Sequence, residues 1–199
     1  MRSAVVLYGG KSARMGVDKG LLEFKGKPLF LWVLESISRI VDEVVISVSH
    51  EEQVKGIDFE KLGVAIAIDE RPGLGPMGGL LSGMKKAQGE FVAVAPVDAP
   101  LIRAELYELL FQRVKGHEGA VPKIRGYWEP LVAVYNRNAM ISAIDNVIAE
   151  GTLDIRSAFP YLDMVVIKHQ EIEAIDPDLL SFNNINTMGD LEKLKYILK

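Results

Sequence analysis

Four short runs of apolar, largely β-branched residues mark the first half of the chain: "SAVVLY" from residue 3, "VDEVVISVS" from residue 41, "GVAIAI" from residue 63 and "EFVAVAP" from residue 90. Each is separated from the next by about the length of a helix and its loops, which is the rhythm of an α/β fold. The runs are continuously apolar instead of alternating. That predicts mostly parallel strands in a sheet covered by helices on both faces. Between them Pro28 opens a helix through Leu29, Val33, Leu34 and Ile37, and residues 79–87 form another. Leu106, Leu109, Leu110 and Val114 mark one face of a third, and Met140, Ile144, Val147 and Ile148 mark a fourth that Gly151 ends. The last helix, "TMGDLEKLKYIL", pairs Thr187 with Asp190 as a cap and sets Leu191, Leu194 and Leu198 on one stripe. "YWEPLVAVY" (residues 127–135) and "LDMVVIKH" (residues 162–169) read as two further strands, the first an antiparallel edge of a mixed sheet.

Composition narrows the chemistry. The 199 residues suit one domain, 1–199, with an ordinary core, and no linker, repeat or low-complexity tract interrupts them. Cysteine is absent and His50, His117 and His169 are far apart, so neither zinc nor thiolate chemistry is supported. Four apolar residues before the first glycines are too few for a signal-peptide core, and no apolar run approaches a membrane span. A cytosolic location without membrane contact is expected. A net charge of −4 argues against a nucleic-acid binder, yet residues 11–27 hold five cations and two acids, a local +3.

That positive charge coincides with glycines. In "LYGGKSARMGVDKG", residues 7–20, a buried strand ends in Gly9 and Gly10, and Lys11, Arg14 and Lys19 follow. Glycines let the backbone turn and bring N–H groups to a ligand, while Arg14 and Lys19 pair with phosphate oxygens. Five residues separate Gly10 from Gly16 and Val17 follows, so this is no Walker loop. A second glycine pattern, "GLGPMG" at residues 73–78, fits G-x-G-x-x-G and leaves a dinucleotide-binding oxidoreductase open, although Asp69, Glu70, Arg71 and Pro72 stand between strand and glycines. Two carboxylates there would repel a pyrophosphate.

Asp98, in "APVDAP", ends the most apolar strand between two stiffening prolines. It reads either as the N-cap of the helix that follows or as a Mg²⁺ ligand, since Mg²⁺ takes one or two carboxylates and completes its shell with water and phosphate. Asp69 also ends a strand, within reach of a base or ribose. Asn183, Asn184 and Asn186 in "FNNINTMGDL" suit a turn into the last helix.

Together, "LYGGKSARMGVDKGLLEFKGKPL", "GPMGGLLSGM", "PVDAP" and "NINTMGDL" resemble the molybdenum cofactor guanylyltransferase family over nearly the whole chain. The resemblance implies a Rossmann-like nucleotidyltransferase fold that moves GMP from GTP to the terminal phosphate of molybdenum-loaded molybdopterin and releases pyrophosphate. By motif, Leu7, Tyr8 and Gly9 line the nucleotide site, Arg14 and Lys19 bind phosphates, Asp98 holds Mg²⁺, Asp69 contacts the nucleotide, and Asn184 and Asn186 meet the pterin. Transient contact with other molybdenum cofactor proteins is also implied. Tyr8 stands where the family usually has alanine, a place from which its ring could crowd or stack on the nucleotide while a backbone contact survives; Ser47 and Ser49 stand where relatives often have asparagine. A relative that uses CTP or another phosphorylated acceptor, or a non-catalytic nucleotide sensor, is the alternative.

Overall fold

The structure is a computed structural model that describes residues 1–9, 18–71 and 73–197. In chain order its elements are β1 (Arg2–Leu7), β2 (Glu23–Phe24), β3 (Lys27–Pro28), α1 (Leu29–Ile37), β4 (Glu43–Val48), β5 (Ala65–Ile68), α2 (Pro76–Lys86), β6 (Phe91–Pro96), α3 (Ala104–Arg113), β7 (Gly119–Ile124), β8 (Tyr127–Trp128), β9 (Ala133–Asn136), α4 (Arg137–Ala149), β10 (Met164–Lys168), α5 (His169–Glu173) and α6 (Met188–Ile197). Short 3-10 turns lie at Lys19–Leu21, Glu51–Val54, Ile155–Tyr161 and Leu180–Phe182.

The main sheet runs β10-β7-β9-β6-β1-β4-β5, with β8 paired to β7. Strands β6, β1, β4 and β5 are mutually parallel, in register Leu7↔Ser47 and Leu7↔Pro96 across β1. From β1 the chain turns to β4 and β5 on one side, then crosses back through α2 to β6 on the other. The order therefore reverses between β1 and β6, and open α/β sheets bind ligands where their strands' carboxyl ends diverge in this way.

Alternation along β1 divides the core. Ala4 and Val6 face the layer of α1 and α3 with Phe30, Val33, Leu106 and Leu110, whereas Val5 and Leu7 face α2 and α4 with Leu80, Met84 and Ile144. A third, smaller cluster of Phe24, Leu29, Ile185, Leu191 and Leu194 seats α6 against the start of α1.

Two expectations need correction, and one strand is not among those expected. Residues 127–135 are not one edge strand: the segment breaks into β8 and β9, and β9 runs antiparallel in the sheet's interior, between β6 and β7. Strand β7 is not evident in the sequence pattern because Pro122 and Lys123 interrupt its apolar run. Proline is tolerated there because the register with β9 stops at Ala120, and the Pro122 carbonyl instead accepts Glu129 N–H at 3.0 Å. Helix α2 starts three residues early, with Pro76 at its first position, where its missing N–H has no partner to lose. Among the described residues, no helix is long and apolar enough to cross a membrane.

Candidate active site

The carboxyl ends of β1, β4 and β6 form the floor of a cavity of about 320 Å³, walled by the start of α2, by Leu131 and by Asn184. Its volume falls at the lower end of the range of small-molecule sites. Leu7, Gly9, Pro96, Val97 and Asp98 line it, together with Ser47 and Ser49. Ser47 is buried and its hydroxyl donates to the Gly79 carbonyl at 2.7 Å, which ties β4 to the first turn of α2. Leu131 arrives through the break between β8 and β9, a feature that no pattern in the sequence announces.

At one end of the cavity the chain brings together residues from three distant segments. Lys19 Nζ lies 2.8 Å from Asp98 Oδ2 and 2.7 Å from Asn186 Oδ1. Local structure explains each arrival. Asp18 caps the Lys19–Leu21 turn by accepting Gly20 N–H at 3.1 Å, which aims Lys19 inward. Burial pushes the Asp18 carboxyl above its ordinary range, against the opposing effect of hydrogen bonds from Gly20 N–H and Gln53. Asp98 is not the cap of α3: that position belongs to Arg103, which makes no side-chain cap bond. Its carbonyl accepts Ile185 N–H at 2.8 Å, and this bond carries Asn184 and Asn186 to either side of the Asp98 loop.

Thr187 and Asp190 then begin α6. Asp190 Oδ2 accepts the N–H groups of Asn186 and Thr187 at 3.1 and 2.9 Å, and Thr187 Oγ1 accepts Asp190 N–H at 3.1 Å. The helix thus has its own cap, so Asn184 and Asn186 are not needed for it. Asn184 also borders a second, more open groove of about 500 Å³ lined by Asn183, Asn186, Asp190 and Lys193.

Tyr8 is the clearest departure from expectation. Its side chain is buried on the α1 face of the sheet, edge-on to Phe30 and Phe59 with ring centroids 5.9 and 6.4 Å away, and it is absent from the cavity lining. Its N–H is bound to the Ser47 carbonyl at 2.8 Å. Residues alternate faces along a strand, so Leu7 and Gly9 address the cavity and Tyr8 turns from it. The aromatic ring lies away from the cavity; it fills space above Gly20, where any Cβ would collide with the ring. Burial, then the nearby Asp18 charge, raises the Tyr8 phenol well above its usual range.

Asp69 likewise does not line the cavity. Its carboxylate folds over the start of α2, close against Gly78, and accepts Arg71 N–H at 2.9 Å. The glycine of "GLGPMG" thus makes room for a carboxylate, which is the opposite of a pyrophosphate seat. Lys11 and Arg14 lie outside the described residues.

Residues 4–165 match the family described as the MobA-like NTP transferase domain. The chain belongs to that family. A probable molybdenum cofactor guanylyltransferase from Methanosarcina acetivorans is 35% identical over 97% of this chain and 89% of its own length. Among solved structures, the molybdopterin-guanine dinucleotide biosynthesis protein A from Archaeoglobus fulgidus superposes with a TM-score of 0.83 at 27% identity, covering 98% of both chains. The 2-C-methyl-D-erythritol 4-phosphate cytidylyltransferase from Thermus thermophilus superposes with a TM-score of 0.71 at 14% identity over 98% of this chain and 97% of its own, a likeness of fold. A MobA-like NTP transferase is a nucleotidyltransferase, an enzyme class that works with a divalent metal.

The described residues fit a metal shared with a substrate. No group of three or more histidine, aspartate or glutamate side chains gathers among them. Asp98 offers a single carboxylate at the cavity edge, its side chain only 15% exposed. One hard oxygen ligand supplemented by phosphate and water fits a divalent cation held jointly with a substrate.

Proposed function

We propose that this protein transfers GMP from GTP to the terminal phosphate of molybdenum-loaded molybdopterin, forming the guanine dinucleotide cofactor and pyrophosphate, in the cytoplasm. The observation that carries the reading is the meeting of Lys19, Asp98 and Asn186 at the end of the cavity beneath β1 and β6. A phosphate-binding cation, a metal-binding carboxylate and a neutral amide at one point suit a reaction between two phosphates.

In this reading the nucleotide enters the cavity over Leu7 and Gly9, with its triphosphate toward Lys19 and Asp98. A phosphate oxygen of the acceptor attacks the α-phosphorus; the new P–O bond forms as the bond to the bridging β-oxygen breaks, and pyrophosphate takes the electron pair. The nucleophile is already an anion, so no general base is required. Lys19 exchanges a contact with Asp98 or Asn186 for a phosphate oxygen and offsets charge on the transferred group and the leaving pyrophosphate. Asp98 would hold Mg²⁺, which would supply positive charge at the phosphates when bound. Asn184 and Asn186 hold the acceptor in line, and Arg14 contributes a second phosphate contact. Catalysis is positioning plus electrostatics.

The test is turnover with each of the four ribonucleoside triphosphates and molybdopterin, followed by pyrophosphate release and by the mass of the product. GTP is expected to be preferred; preference for CTP, or no nucleotide joined to the pterin, overturns the assignment.

A further inference from the structure

Among the described residues only one charged side chain is fully buried, and it is not in the cavity. Asp176 has no exposed surface, whereas the ionisable residues of the cavity are all partly open. A buried carboxylate is costly unless it is fully paired. Here Oδ1 accepts Leu180 N–H at 3.0 Å and Oδ2 accepts Ser181 N–H at 2.8 Å. Arg103 Nε completes the shell, 3.1 Å from Oδ1. The turn that this carboxylate closes is strained: Leu179 holds φ at 52°, a left-handed conformation that a branched side chain rarely adopts. Strain at a non-glycine residue persists where neighbouring bonds over-determine the backbone, and the Asp176 carboxylate binds the two residues that follow.

The partner of Asp176 gives this arrangement a consequence for the site. Arg103 ends the loop that begins at Asp98, and its backbone N–H donates to Ser181 Oγ at 3.1 Å. Its guanidinium also reaches the Ile175 carbonyl at 3.4 Å. Residues 98–103 and 176–186 are therefore fastened at two ends. One end is the Asp98 carbonyl with Ile185 N–H, beside Lys19 and Asn186; the other is Arg103 with Asp176 and Ser181.

We infer that Asp176, through Arg103 and Ser181, is a positioning residue that fixes Asn184 and Asn186 against the Asp98 loop and so sets acceptor binding. The inference rests on the proposed role of those asparagines. Asp176 touches no substrate. Its effect is to keep the acceptor side of the site in register with the metal-binding carboxylate, by adding a fully buried, charge-assisted fastening to the Ile185 backbone bond, the packing of Ile185 and the contacts of Lys19.

Asp176→Asn tests this. The amide places a donor opposite a backbone N–H or the guanidinium, so the turn loses a bond while side-chain volume is kept. Acceptor KM is expected to rise about tenfold or more, the scale of losing a bond to a charged group, while GTP Kd measured by calorimetry changes by less than about twofold. Arg103→Gln, at a partly exposed side chain, should shift acceptor KM in the same direction, and the double variant should fall short of the sum. If Asp176→Asn fails to unfold cooperatively as a native protein does, Arg103→Gln carries the test. An unchanged acceptor KM in a folded variant, or an equal loss of GTP affinity, overturns the inference. Asn184→Ser with Asn186→Ser separates the two claims: if that double variant raises acceptor KM and Asp176→Asn does not, the clamp alone is wrong; if neither does, the acceptor assignment falls as well.

Discussion

The two halves of the site are built by different forces. The crevice between β1 and β6 is made by a sheet whose strands are buried on both faces, and its lining residues are held wherever the strand ends put them. The C-terminal half, from residue 176 onward, puts three side chains, Ile185, Leu191 and Leu194, into a small cluster with Phe24 and Leu29, packs Leu179 and Phe182 on the main core, and is fastened further by individual polar bonds. Apolar burial is non-directional and tolerant, whereas a polar bond fixes a direction and is lost whole when one partner goes. The half proposed to hold the nucleotide should therefore respond to single substitutions mainly where they change charge or overfill the packing, and the half proposed to hold the acceptor should respond sharply to the loss of any one polar partner.

The largest effect is expected where the two halves touch. Asp98→Asn keeps the fold, because β6 and the Ile185 N–H bond to the Asp98 carbonyl do not depend on the carboxylate. Turnover should fall on the order of 10²-fold or more, as when a transition-state electrostatic group is removed. Pyrophosphate release in saturating Mg²⁺ measures it, and near-normal rates would falsify the metal role.

A smaller effect isolates the acceptor half. Replacing Asn184 and Asn186 together with serine should raise acceptor KM about tenfold and leave GTP binding alone, since the Thr187 and Asp190 cap remains to start α6. Unchanged pterin kinetics in the folded variant would return both residues to a structural role.

The nucleotide half can be probed through its packing. Gly20→Ala puts a methyl group into the Tyr8 ring and should lower stability by about 1–3 kcal/mol, the usual cost of overpacking. Combining it with Tyr8→Ala should cost less than the sum of the two single changes, because the ring that collides is gone. Denaturant melts decide, and strict additivity would mean that Tyr8 and Gly20 do not share the space.

The smallest effect is a dependence on pH. Hydrogen bonds from Thr187 and the Asn186 N–H hold the Asp190 carboxyl below its ordinary value. A lowered folded value means that the cap contributes fully above the unfolded carboxylate range, about pH 4, and is lost as pH falls through the lowered value. Trp32, packed on the cluster that seats α6, reports undocking if Trp128→Phe removes the other indole. Its emission should change at a higher pH in Asp190→Ala than with Asp190 intact. Coincident acid transitions would sever the cap from the docking of α6.

Five strands, five helices and the pairing of Thr187 with Asp190 follow from the sequence alone, because each depends on residues close in the chain. Side-chain periodicity, a proline at a helix start and a cap are local devices. What tertiary structure decided depends on partners far away. Strand β7 exists because β9 and β10 flank it, although Pro122 argues against a strand locally. Tyr8 left the cavity because the strand's alternation sends it to Phe30, Phe59 and a glycine twelve residues on. Lys19, Asp98 and Asn186 could each be singled out in the sequence, but their contact depends on bonds between distant segments: Ile185 N–H to the Asp98 carbonyl, and Lys19 to Asp98 and Asn186. Asp176 carried no sequence signal at all: an aspartate before a proline reads as a solvated turn, and only the approach of Arg103 and two backbone N–H groups makes its burial affordable.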